Sequence, residues 1–210
     1  MKLKKAWINR RFAAVGAVTC ILLLMTAQVT YSYLTAGSET LVNTFAGGAI
    51  SITLDEAKVN GSGQADGSAR VTENSYKITP GAVLDKDPTV TVLEGSEECH
   101  VFLYVDNPLP AEYFTPDYSS AWKEKAASGT QTLYLYETTA NASEADVTLD
   151  AIFTQITVSA ELTAQQIEEL GEMQITAEAY AVQSEGVDTE TAVQMAAEYF
   201  NSRFAAGFEV

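Results

Sequence analysis

Cys99-His100-Val101-Phe102-Leu103-Tyr104-Val105 is a run of strand length in which two sets of apolar side chains alternate. Period-two alternation places successive residues on opposite faces of a sheet, so this stretch predicts a strand. Pro108 and Pro110 end it, because neither can donate a ladder hydrogen bond. Working outward, residues 49–54 alternate Ile50, Ile52 and Leu54 with small or polar residues, and residues 89–93 are β-branched. Residues 132–138, 152–158 and 173–183 are three more candidates. Turn-rich stretches separate the strands, and most pairs have no helix between them. That pattern predicts a mainly β fold, an antiparallel β-sandwich and not a βαβ sheet.

The intervening segments carry turn chemistry. Thr79-Pro80-Gly81 predicts a tight turn, because proline presets one central dihedral and glycine accepts the positive one that follows. Residues 59–68 contain three glycines and no large side chain after Val59, which predicts a mobile surface loop with Gly61-Ser62-Gly63 as linker. Two segments depart from the β pattern. Thr163-Ala164-Gln165-Gln166 is a capping box, predicting a short helix near 163–170 whose Ile167 and Leu170 face the fold. From Asp188, a suitable N-cap, Val193, Ala196, Ala197, Phe200 and Phe204 recur at helical spacing. This predicts a C-terminal amphipathic helix, covering a sheet face of its own domain or docking to a partner.

The N-terminus reads as an export signal. Lys2, Lys4, Lys5, Arg10 and Arg11 precede residues 12–29, which carry no charge and a single amide, Gln28. Thr30 and Ser32 have the small-residue spacing that a signal peptidase requires, so cleavage is expected between Ser32 and Tyr33. The rival is a retained anchor, since the run approaches the length of a spanning helix. The expected organisation is a signal at 1–32, an N-terminal segment at 33–48 and a β domain at 49–210. Cys20 lies inside the apolar run, not after Gly or Ala at its end, so lipid attachment has no support.

Charge narrows the function classes. All 28 acidic residues lie beyond residue 32; of 12 Lys and Arg the five N-terminal ones are lost with the signal, leaving seven and a formal charge of about −21. Nucleic-acid binding is excluded as a main function, because phosphate neutralisation needs clustered cations. Cys99 would be alone in the mature chain and would form no intrachain disulfide. It reads as a buried small hydrophobe, with an intermolecular disulfide or reactive thiol as the alternatives.

Catalytic patterns are sparse. A single histidine, His100, excludes H-E-x-x-H and any multi-histidine metal centre, and no serine lies in a G-x-S-x-G elbow. There is no phosphate-binding glycine loop. Asp85 with Asp87, and Glu97 with Glu98, read as solvated carboxylates and match no calcium loop. No cofactor is expected. The aromatics are more suggestive: Tyr134 and Tyr136 alternate with Leu133 and Leu135, downstream of Tyr113, Phe114, Tyr118 and Trp122. Trp122, Tyr134 and Tyr136 form a candidate contact face for a sugar ring or another subunit, with packing under a loop as the plain alternative.

Several segments together resemble the TasA and camelysin (CalY) group, exported proteins of Gram-positive bacteria with SipW-dependent signal peptides. They are Tyr33-Leu34-Thr35, Asn43-Thr44-Phe45, Gly47-Gly48, Ile50-Ser51-Ile52-Thr53-Leu54-Asp55-Glu56, Tyr76-Lys77-Ile78-Thr79-Pro80-Gly81, Lys86-Asp87-Pro88-Thr89-Val90-Thr91-Val92, the stretch from Gly95 to Phe102, and the stretch from Ile175 to Gln183. The resemblance implies a jelly-roll sandwich, export through a dedicated signal peptidase, and a secreted structural role in fibres or biofilm matrix at the cell surface. It also implies that the segment freed by cleavage serves as a donor strand. Here that is 33–48, with Leu34, Leu41, Val42 and Phe45 filling a neighbour's groove by β-strand addition. Leu34 and Ala36 stand where the group often has aromatic and acidic residues. The implied partners are further copies of the chain or related matrix subunits, with the membrane involved only as a precursor stage. The alternatives are a monomeric adhesin or carbohydrate-binding module and, less supported by these residues, a camelysin-like protease.

Overall fold

The computed structural model describes residues 50–210. The expected signal, its expected cut between Ser32 and Tyr33, and the expected donor segment with Leu34, Leu41, Val42 and Phe45 lie outside them. Among the described residues no helix is long and apolar enough to cross a membrane.

The fold is mainly β. Its strands are β1 (Ile52–Val59), β2 (Ala65–Val71), β3 (Val83–Asp85), β4 (Thr89–Val92), β5 (Cys99–Asp106), β6 (Phe114–Pro116), β7 (Trp122–Ser128), β8 (Gln131–Tyr136), β9 (Val147–Thr148), β10 (Gln155–Val158) and β11 (Thr176–Gln183). They form three sheets, in the orders β2-β1-β4-β9, β3-β10-β6 and β11-β5-β8-β7. Every strand pair is antiparallel. The sheets contribute to one apolar core. Ile52, Val90 and Val92 come from the first, Leu84, Phe114, Ile156 and Val158 from the second, and Val101, Leu103, Val105, Ala179 and Ala181 from the third.

The position of β5 explains why its sequence is apolar from Val101 to Val105. Cys99, Val101, Leu103 and Val105 enter the three-sheet core, while Phe102 and Tyr104 enter a second cluster on the opposite face. That face is roofed by the C-terminal helix Thr189–Phe204, which contributes buried Ala192, Ala196, Ala197 and Phe200. Small residues let the helix backbone approach the sheet, and Phe200 fills the space between them. The helix therefore covers a sheet face of its own domain. Its N-cap is Asp188, whose side chain accepts from Thr191 N. That bond holds the Asp188 carboxyl below its ordinary range. At the other end Ala205 adopts a left-handed φ of 52°. Asn201 then clamps the tail: its Nδ2 donates to Phe208 O and its Oδ1 accepts from Phe208 N.

The short helix is Ala164–Leu170, with both bonds of the Thr163/Gln166 capping box formed. Ile167 and Leu170 pack against the three-sheet core. At Thr79-Pro80-Gly81 the predicted turn is present, with Ala82 N donating to Thr79 O at 3.0 Å and Gly81 at φ 76°.

The loop expected over 59–68 is corrected. A short turn leads into β2 at Ala65, and β2 is exposed along almost its whole length. An exposed strand has no apolar face to set a period, so its sequence reads as loop. Gly63 is not linker: it is buried, its carbonyl accepts from Asp85 N at 2.8 Å, and its φ is +74°. A Cβ there would stand 2.6 Å from Leu84 Cδ2. Gly63→Ala is expected to cost about 2–3 kcal/mol by chemical denaturation, combining left-handed strain with overpacking. Gly67→Ala, also at positive φ but with nothing within 4 Å of its Cβ, is expected to lose only the backbone share.

Candidate functional site

The aromatic residues singled out in the sequence do come together. Trp122 on β7 lies opposite Tyr136 on β8, with ring centroids 5.1 Å apart in an edge arrangement. Two residues away on β8, Tyr134 stacks on Tyr118 at 5.9 Å, and Tyr118 meets Phe153 edge-on at 5.5 Å. Asp150 supplies the polar anchor: Trp122 Nε1 donates to its backbone oxygen at 2.8 Å and Tyr136 OH to its carboxylate at 2.9 Å.

Their placement differs from an open contact face. Trp122 is 4 % exposed and belongs to the three-sheet core, so its ring faces are not available for stacking on a sugar. Tyr134 and Tyr136 are half-buried against the same core. Burial, with neighbouring Tyr118, raises the Tyr134 hydroxyl above its ordinary range. The reason is that both faces of β8 are covered. Leu133 and Leu135 point under the C-terminal helix, which leaves the tyrosines to face the principal core. A register shift between Glu124 and Ala126 turns β7 over, so that Trp122 packs on one side and Ala126 on the other. Tyr118, 45 % exposed, is the part of this group that meets solvent.

A charge cluster joins β1, β2 and the loop before β4, and sequence spacing gives no sign of it. Lys86 Nζ and Glu56 Oε2 are 2.6 Å apart, with side chains 13 % and 7 % exposed. The Lys86 ammonium also sits 5.4 Å from the Tyr76 ring centroid, and Tyr76 OH donates to Asp85 O. Arg70 bridges the Asp55 and Asp87 carboxylates and donates to both their backbone oxygens. Asp87 further accepts from Ala57 N, and Asp85 from Ala65 N and Gln155 Nε2. Asp85 and Asp87 are thus structural acceptors, not a free solvated pair.

Cys99 is fully buried and free of disulfides. Burial, with the nearby Glu98 charge, pushes its thiol up to about 12, which keeps it protonated and unreactive. His100 is partly exposed on β5, paired in register with Val182. Among the described residues no group of three or more His, Cys, Asp or Glu is placed to hold a metal ion. No family model, no curated protein and no solved structure matches this chain.

Proposed function

We propose that the protein is an exported structural subunit, built on a jelly-roll β-sandwich, that assembles at the cell surface or in an extracellular matrix by β-strand addition. The observation that supports this reading best is the position and length of β11. It is eight residues long, stands at the end of its sheet order among the described strands, and packs on both faces. A strand added beside it would extend a sheet already covered on two sides, with main-chain bonds giving affinity and alternating side chains giving register. The other end strand of that sheet, β7, carries Lys123 and Lys125, charges of the kind that discourage pairing. Residues 33–48, with Leu34, Leu41, Val42 and Phe45, are the proposed donor. The partner is a second copy of the chain or a related matrix subunit, and the role is non-catalytic.

Electron microscopy of the exported protein, with and without residues 33–48, tests this. Filaments are expected from the whole mature chain and not from the truncated one, which should stay folded by circular dichroism. Filaments that survive the deletion would remove strand donation. Monomers from both proteins would remove the structural role.

A further inference from the structure

The turn between β1 and β2 holds an asparagine whose side-chain oxygen is fixed by the backbone while its amide nitrogen is not. Asn60 Oδ1 accepts two backbone N–H groups, from Ser62 at 2.8 Å and from Gln64 at 3.3 Å. Its Nδ2 donates to nothing among the described residues, and neither does the N–H of Gly61 that follows it. Both residues are exposed. A side-chain carbonyl held by two N–H donors sits beside an uncommitted backbone nitrogen and an uncommitted amide leaving group.

We propose that Asn60-Gly61 is a self-modifying site that closes to a succinimide and opens to aspartate and isoaspartate. In the closing step Gly61 N bonds to Asn60 Cγ, the Cγ–Nδ2 bond breaks, and ammonia leaves with the proton from Gly61 N. Water then adds to either ring carbonyl, giving a carboxylate at Asn60 with the main chain running through Cα or through the side chain. Water is the only co-reactant, and no electrons are transferred. The two N–H groups on Oδ1 stabilise the oxyanion that forms as nitrogen attacks. The five-membered ring makes the reaction intramolecular, and glycine presents no Cβ to obstruct it.

The other described asparagines lack this combination. Asn74 is held at both ends, Oδ1 by Val59 N and Nδ2 on Ala57 O. Asn201 is held at both ends by Phe208. Asn107 precedes Pro108, whose nitrogen carries no hydrogen, and Asn141 precedes Ala142, which is fully buried. The isoaspartate product would lengthen the main chain inside a turn where Asn60 N donates to Gln64 O and Asn60 O accepts from Gly63 N. Modification therefore loosens the β1–β2 connection as the protein ages.

The test is peptide mapping by mass spectrometry of the folded full chain, sampled over weeks at mildly alkaline pH. The amide-to-acid mass gain is expected first and mostly in the peptide carrying Asn60, as a mixture of isoaspartate and aspartate. Gly61→Ala, which fits because nothing lies within 4 Å of the added Cβ, is expected to slow the gain by about tenfold with an unchanged melting temperature. No gain at Asn60, equal gain at Asn141, or an unaltered rate in Gly61→Ala would each overturn the proposal.

Discussion

Lys86→Met is expected to lower the unfolding free energy by about 3–5 kcal/mol, the usual cost of stranding one partner of a buried ion pair. Glu56 is 6 % exposed on β1, and its carboxylate oxygen lies 2.6 Å from the ammonium. Methionine keeps the length of the side chain and removes only the charge. Glu56 is then left buried without its counter-charge, or draws in water at the expense of packing around Tyr76. Guanidinium denaturation followed by the emission of buried Trp122 measures the loss. The paired variant Glu56→Leu with Lys86→Met separates the two contributions. With both charges gone it is expected to return to within about 1 kcal/mol of the parent, because an apolar pair of similar volume has no stranded group. A double variant as unstable as Lys86→Met alone would show that side-chain shape, and not charge, sets the energy.

Phe200→Ala is expected to cost a further large amount, about 3–5 kcal/mol, because it empties the centre of the second core. The ring is fully buried, with centroids 5.1 Å from Tyr199, 5.4 Å from Tyr104 and 6.1 Å from Tyr180. These contacts join the helix to β5 and β11 together. Near-ultraviolet circular dichroism should fall with the loss of fixed tyrosine packing, alongside a lower denaturation midpoint. Met195→Ala on the same helix is the control. That side chain is 39 % exposed, and the change is expected to stay within about 0.5 kcal/mol. Equal losses at both positions would mean that burial of Phe200 is not what holds the roof in place, since alanine is the better helix former at either site.

What could be read from the sequence depended on whether an element buries a face. β1, β4, β5, β8, β10 and β11 all have apolar sides, and each was visible as alternation or as a β-branched run. The two helices were visible through their first residues, since Thr163 with Gln166 and Asp188 are capping chemistry that strands do not use. β2 was hidden because it is exposed along almost its whole length, and β7 because a register shift breaks its period midway. β3, β6 and β9, at two or three residues each, are too short to show a period.

The candidate aromatic group was legible only as a group. Trp122, Tyr134 and Tyr136 meet as their spacing suggested, but their exposure depends on a helix more than fifty positions downstream that covers the opposite side of the sheet. Without that roof the leucines of β8 would face solvent. The ion pairs were illegible for a different reason. Glu56 with Lys86 and Asp55 with Arg70 are separated by 30 and 15 residues, and the topology alone brings them together.

β5 has no solvent side between Val101 and Val105. Its two edges are ladders to β11 and β8, and its two faces are the walls of separate cores. Only apolar or aromatic side chains suit these five positions, since an unpartnered polar group would be stranded whichever way it pointed. Variation that tunes solubility or partner choice has to accumulate elsewhere, on exposed stretches such as β2. The molecule thus divides its tasks between a spine closed to polar side chains and a rind open to them.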